Sequence, residues 1–372
     1  MSVKCADIFN LMEELAPSYL AESWDNCGLQ VGDPLAAVEK ILLTIDVNPA
    51  VAREAADKGA ALIISHHPLM IRPPKAINIR QPLGELISFL IRSNITVFAA
   101  HTNLDAAAGG VNSVLAERLG LAEPAVLQAG QARLYKLVVF IPVGHEEKVR
   151  AAILEAGAGW IGNYSHCSFM AGGTGTFKPL TGASPFYGRA GELAQVEEVR
   201  LETIVPSGLL KKALDAMLAS HPYEEAAYDI LPLENRVTSC GLGRVGKLAE
   251  PVSLRHFAGF VKDTLGLPAV RLGGSPDRRP VQTVAVCGGS GADLWPEALK
   301  AGADTIVTGD VKYHTAQDIA AAGMNFIDAG HYGTEAVVLP VLQKYLGDIC
   351  SAAGIDIQLL LSETNTDPFA FF

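Results

Sequence analysis

Apolar and polar positions along the first third of the chain switch between two periods. "KILLTID" (40–46) is a short apolar run, and "PAVAREAADKGA" (49–60) follows it at helical spacing. "ALIISHH" (61–67) is a second run, "PLGELISFLIRSN" (82–94) an amphipathic helix, and "ITVFAAH" (95–101) a third run. "GVNSVLAERLG" (110–120) reads as a helix closed by a glycine. The last third repeats the rhythm. Runs at 281–291, 304–310, 325–331 and 355–363 alternate with helical patterns at 294–303, 314–323 and 334–348. Pro340 falls inside the last helical pattern and is expected to bend or interrupt it. This order predicts an α/β domain with a mixed, mostly parallel sheet and helices on its faces.

The middle of the chain has a different rhythm. A strand at 134–144 and a helix at 145–159 precede the Gly-, Thr- and Phe-rich stretch 167–191, which has the composition of a hairpin with long connections. A strand at 197–207, a helix at 208–221 and a strand at 224–233 complete a β-α-β-β-α-β order, that of a ferredoxin-like plait. The expected organisation is a discontinuous α/β domain, 1–130 with 238–372, carrying an inserted domain over 131–237.

Ligands of open α/β sheets sit beyond the carboxyl ends of the strands, and four predicted strands end in polar groups. They lead to His66 and His67, to His101 and then Asp105, to Asp310 and then His314, and to His331 and then Glu335. One histidine at a strand end is ordinarily a hydrogen-bonded core residue. Several imidazoles and carboxylates converging on one sheet edge are hard to explain by packing, because each unpaired buried group costs about 1–3 kcal/mol. They suit a divalent transition metal, and a carboxylate can bridge two such ions. His331 and Glu335 share a face if a helix begins at the histidine, with Glu335 then in a first turn that favours a carboxylate.

Weaker signals surround this one. "GLGRVG" (241–246) has the glycines of a dinucleotide fingerprint, but no buried parallel strand precedes it and Pro251 soon follows, so turn glycines are expected. The loop Gly288, Gly289, Ser290, Gly291 follows a strand and opens a helix, so it is a candidate phosphate or substrate loop against a tight turn. Asp25 and Asn26 read equally as turn caps or as lining of a site.

The net charge of −11 argues against a mainly electrostatic nucleic-acid binder. No apolar stretch reaches the length of a membrane helix. The acidic N-terminus shows no export signal, and six scattered cysteines without a C-x-x-C pair suit a cytoplasmic protein with reduced thiols.

"SWDNCGLQVGD", "SHHPL", "HTNLD", "TGDVKYH" and "DAGHYGTE" resemble, in order, the signature blocks of the Nif-three-like dinuclear metal proteins, also named GTP cyclohydrolase 1 type 2 homologs. The middle resembles the insert of the longer bacterial members, and "SHPYEEAAYDI" (220–230) resembles P-II-like and CutA-like plaits. The resemblance implies two divalent ions per subunit held by His66, His67, Asp105, His331 and Glu335, with Glu335 as bridge and His101 as a further ligand or close neighbour. Histidine and carboxylate donors without cysteine suit zinc first, then manganese, iron or cobalt. The resemblance also implies a toroidal homohexamer. A metal-dependent hydrolase acting on a nucleotide or other phosphorylated small molecule is expected, with His101 or His314 moving protons and Asp310 nearby. A non-enzymatic metal-binding or regulatory hexamer is the alternative.

Overall fold

The computed structural model describes residues 2–130, 133–162, 164–236, 240–274 and 280–371. Two compact units divide the chain, Met1–Gly130 with Cys240–Phe372, and Gln131–Ser239. The expected inner edges of the insert, 131 and 237, fall outside the described residues.

The N-terminal segment forms α1 (Cys5–Leu15), β1 (Gly28–Val31), β2 (Lys40–Thr44), α2 (Pro49–Lys58), β3 (Leu62–Ser65), α3 (Pro82–Arg92), β4 (Thr96–Ala99), α4 (Thr102–Ala106), α5 (Val111–Arg118) and β5 (Ala122–Ala129). The second unit holds β6 (Arg133–Pro142), α6 (Glu146–Glu155), β7 (Ser168–Phe177), β8 (Ala194–Pro206), α7 (Leu210–Ser220) and β9 (Tyr228–Arg236). The C-terminal segment forms β10 (Gly241–Val252), α8 (Leu254–Thr264), β11 (Arg271–Gly273), β12 (Val281–Val286), α9 (Trp295–Lys300), β13 (Thr305–Thr308), α10 (Tyr313–Ala321), β14 (Asn325–Asp328), α11 (His331–Glu335), α12 (Val338–Ala352) and β15 (Gln358–Leu361).

The discontinuous unit has two mixed sheets where the sequence suggests one. The first runs β1-β4-β3-β2-β15, parallel except for the antiparallel edge β1. The second runs β11-β14-β13-β12-β10-β5, with β12, β13 and β14 parallel and the other pairings antiparallel. The two segments exchange strands: β5 joins the second sheet and β15 pairs with β2 in the first. Strands β2, β3, β4, β13 and β14 are almost wholly buried, which is why they read as continuous apolar runs. Helix α5 joins the two cores. Its Val111 and Val114 pack with Ile41, Ile64 and Leu342, and its Leu115 and Leu119 with Val284, Phe257 and Ile327.

Two local expectations change. The glycines of "GLGRVG" lie along strand β10, not in a turn. Gly243 has φ +65°, and a side chain there would press within 3.0 Å of Leu127 and the Val286 carbonyl. Buried Arg244 between them donates to the Gly241, Gly243 and Ala107 carbonyls. The helical pattern at 334–348 breaks before Pro340, between α11 and α12. Pro340 then sits in the first turn of α12, where a missing N–H costs no helical bond.

The second unit has the element order strand, helix, strand, strand, helix, strand and the antiparallel sheet order β7-β8-β6-β9. Helices α6 and α7 cover one face, packing Val149, Ile153, Ala213 and Met217 on Leu137, Val139, Ile141 and Leu201.

Candidate metal centre

Parallel strands deliver their carboxyl ends to one place from both sheets. His66 and His67 follow β3, His101 precedes α4, Asp105 lies on α4, and His331 opens α11 after β14. Ring nitrogens of His66, His67 and His101 lie within 4.8 Å of one another, and so do donor atoms of His67, His331 and Glu335. Helix α11 begins at His331, so residues four apart face the same way, and His331 Nε2 is 3.2 Å from Glu335 Oε1. Helix α11 is only five residues long and Glu335 ends it, so the expected first-turn dipole contributes little.

The Glu335 carboxylate, 3% exposed, is the hub. Its Oε2 is 3.0 Å from His67 Nε2, and its Oε1 is 3.6 Å from His66 Nε2. Asp105 Oδ1 is 3.6 Å from the same His66 nitrogen. Among the described residues His66 Nε2, Asp105 Oδ1 and Glu335 Oε2 are buried without a hydrogen-bond partner; the close His67 contact does not have hydrogen-bond geometry. Donor separations of this size suit an ion bound at about 2.0–2.2 Å by nitrogen and oxygen.

Every imidazole is held from behind. His66 Nδ1 donates to the Ala100 carbonyl at 2.9 Å, His67 Nδ1 to Asp46 at 2.7 Å, His331 Nδ1 to Asp310 at 2.7 Å, and His101 Nδ1 to Asp25 at 2.9 Å. An Nδ1 that donates leaves Nε2 as the free lone pair on the neutral ring, the arrangement of metal-binding histidines. The residues present therefore fit a divalent ion.

The carboxylates favour positive charge at this site. Burial opposes charge on His67, but Asp46 and Glu335 outweigh it and hold the imidazole up at about 10. Hydrogen bonding to Glu335, against burial, pushes His331 up to about 9. Burial likewise opposes charge on His66, and Glu335 and Asp105 hold it above its ordinary value. Asp105 is pushed up to about 6 by burial, whereas Glu335, despite its burial, is held well below the usual carboxylate range by His66, His331 and His67.

Some expectations shift. Asp310 lies behind His331 rather than beside the hub. His314 is exposed on α10 with Tyr313 as its ring neighbour, outside the cluster, so the proton-moving role expected of it lapses. The Gly288–Gly291 loop is not an open phosphate cradle. The Gly288, Gly289 and Gly291 amides donate to Asn112, Thr334 and Thr308 at 2.8, 2.9 and 3.0 Å. It is instead a wall of the centre. A side chain on Gly289, at φ +62°, would stand 2.2 Å from Glu335 Oε1 and 3.1 Å from His331 Nε2. Gly289→Ala is therefore expected to destabilise the fold by about 1–3 kcal/mol and to loosen metal retention, read by thermal melting and zinc titration. Asp25 serves both roles left open for it. It accepts the Asn26 N–H at 2.7 Å and orients His101, with Thr102 and Cys27 also donating to it.

Two features went unread in the sequence. Asp46 ends the run "KILLTID", two residues past β2, the strand paired with β3, and that position was its signal. The second is the strap after β15. Glu54 accepts bonds from Ser362, Glu363 and Thr364, and the strap then passes the centre, where the Thr366 hydroxyl donates to Asp46 at 2.5 Å. Asp367, Pro368 and Phe369 border a cavity of about 400 Å³ that reaches His67 and His331. Thr366→Val is expected to lower zinc affinity by about three- to tenfold, with Thr366→Ser close to wild type. Chelator competition measures both.

A two-sheet α/β protein with a buried histidine and carboxylate cluster able to hold metal defines the class. The chain belongs to the Duf34/NIF3 (NGG1p interacting factor 3) family, whose model matches residues 3–368. It is 45% identical over 371 residues to the GTP cyclohydrolase 1 type 2 homolog of Bacillus subtilis (strain 168), covering 100% of this chain and 99% of that protein. Its structure matches the Bacillus cereus protein related to NIF3 at TM-score 0.84 and 43% identity, over the whole of both chains. It also matches Staphylococcus aureus protein SA1388 at TM-score 0.77 and 31% identity, over 100% of this chain and 99% of that one. Among the described residues no helix is long and apolar enough to cross a membrane.

Proposed function

We propose that the cluster holds two divalent ions, zinc first, through His66, His67, Asp105, His331 and Glu335, and that the protein is a metal-dependent hydrolase of a nucleotide or other phosphorylated small molecule. One observation carries this reading: Glu335 Oε2, His66 Nε2 and Asp105 Oδ1 are orphaned buried donor atoms in one place, while every neighbouring imidazole is fastened through Nδ1. Two ions bound there would supply a water of pKa about 7 and polarise the bond under attack. The chain's own part is preorganisation. Asp46, Asp310 and the Ala100 carbonyl keep the Nδ1 protons, Glu335 presents both oxygens, and Asp25 holds His101 in the tautomer that can take or return a proton at Nε2. The cavity beside His67 and His331 offers a substrate entry, which favours catalysis over a closed storage site. GTP is the first substrate to test because relatives carry the cyclohydrolase name. Zinc- or manganese-loaded protein is expected to turn over at least one member of a panel of nucleotides and other phosphorylated small molecules. No turnover of any nucleotide or other phosphorylated small molecule would overturn the hydrolase reading and leave the metal-binding, regulatory one.

The P-II/CutA-like class of the insert and the homohexamer belong to this proposal. The strand order of the second unit, β7-β8-β6-β9, supports the first. Mass in solution tests the second, with six chains the expected count.

A further inference from the structure

The inserted unit contains a cavity of about 980 Å³ that the chemistry above does not use. Strand alternation places Phe140, Glu198 and Arg200 on the sheet face opposite α6 and α7, and loop residues including Phe186 close over them. Glu198 is 9% exposed, and its carboxylate accepts a hydrogen bond from the Tyr223 hydroxyl at 3.0 Å. Among the described residues it makes no ion pair, since Arg200 is turned to Glu202 at 2.9 Å. Neighbouring His221 does not balance it either. Its Nε2 donates to the Phe140 carbonyl and its Nδ1 accepts the Tyr223 N–H, so the ring is the neutral tautomer. Gly175 makes the room: a side chain there would lie 2.1 Å from the Glu198 carboxylate.

A carboxylate this buried without a cation is costly. Around it stand aromatic faces, with the Phe177 and Phe186 rings 5.8 and 6.3 Å from that of Tyr223. Glu224 and Glu225 add negative charge at the rim, against Lys178. Aromatic faces around an acidic floor bind cations, and the volume suits a ligand of small-molecule size. We infer that this cavity is a binding site for a small organic cation, an amidinium or ammonium group on a flat apolar body, held by Glu198 against the Phe177, Phe186 and Tyr223 rings. The lining residues all belong to the inserted unit, so the site gives the insert a ligand of its own.

Calorimetric titration of the full-length protein with benzamidine, phenethylamine and neutral benzamide tests this. Saturable binding of at least one cation at one per chain is expected, with none for benzamide. Glu198→Gln is expected to weaken that binding by about tenfold or more, at an unchanged melting temperature. Should that variant melt early, Phe186→Leu, at a half-exposed ring, gives the second reading and is expected to lose severalfold in affinity. Benzamide binding as well as the cations, no saturable binding of either cation, or full affinity in both variants would overturn the proposal.

Discussion

Glu335→Ala is expected to lower zinc affinity by about a hundredfold or more and to abolish any turnover. Its oxygens lie 3.0, 3.2 and 3.6 Å from the Nε2 atoms of His67, His331 and His66, so one carboxylate faces three imidazoles. Removing it leaves Asp105 as the one remaining carboxylate of the proposed ligand set. Glu335→Gln separates charge from bulk. The amide keeps the volume and one oxygen but brings donors toward nitrogens that must themselves be lone-pair donors to a metal, so its affinity should fall almost as far as that of Ala. Chelator competition with zinc reads both variants. Wild-type affinity in Glu335→Ala would remove the hub and with it the dinuclear reading.

The second large effect is on pH dependence, and it has opposite signs with and without metal. In the metal-free protein His67 is held up at about 10 and His331 at about 9, against about 6.5 in an unfolded chain. A folded value above the unfolded one stabilises fully below about pH 6.5 and is lost as pH rises through 9 to 10. Metal-free protein should therefore melt at lower temperature at pH 10 than at pH 7. The side chains are 21% and 35% exposed, so solvent screening reduces the gain to a few kcal/mol. Asp105, at about 6, titrates below that window. Zinc requires bare Nε2 atoms, so its affinity should climb over the same range in which the metal-free fold weakens, with about two protons released per loaded chain at pH 7. Calorimetry in buffers of different ionisation enthalpy counts those protons. Zinc binding without proton release would show that the imidazoles are already neutral.

Much of this was legible beforehand. Buried parallel strands must be apolar on both faces, so 40–46, 61–67 and 95–101 stand out as runs, and the polar residues that end them mark the functional edge. Edge strands lack that signature. β1, β5 and β11 are short, part-exposed or irregular, and the long β10 hides behind glycines that look like turns. Without them the two sheets merge into one. The strap failed to register for a related reason: Thr366 contributes through one hydrogen bond to a carboxylate 320 positions away, and a lone threonine near a chain end has no periodicity to announce it.

The sequence by itself marked the candidate ligands: the paired histidines after β3, and the His331 and Glu335 spacing that a helical turn converts into proximity. Local rules suffice there, because strand ends and i, i+4 pairs are set by the backbone geometry of a few residues. Tertiary structure alone decided which oxygen stands behind each imidazole, that the Gly288, Gly289 and Gly291 amides are spent on Asn112, Thr334 and Thr308, and that His314 is exposed on α10. Those are pairings between segments far apart in the chain, and a hydrogen bond records only where two atoms finally lie, not how far apart they are in sequence.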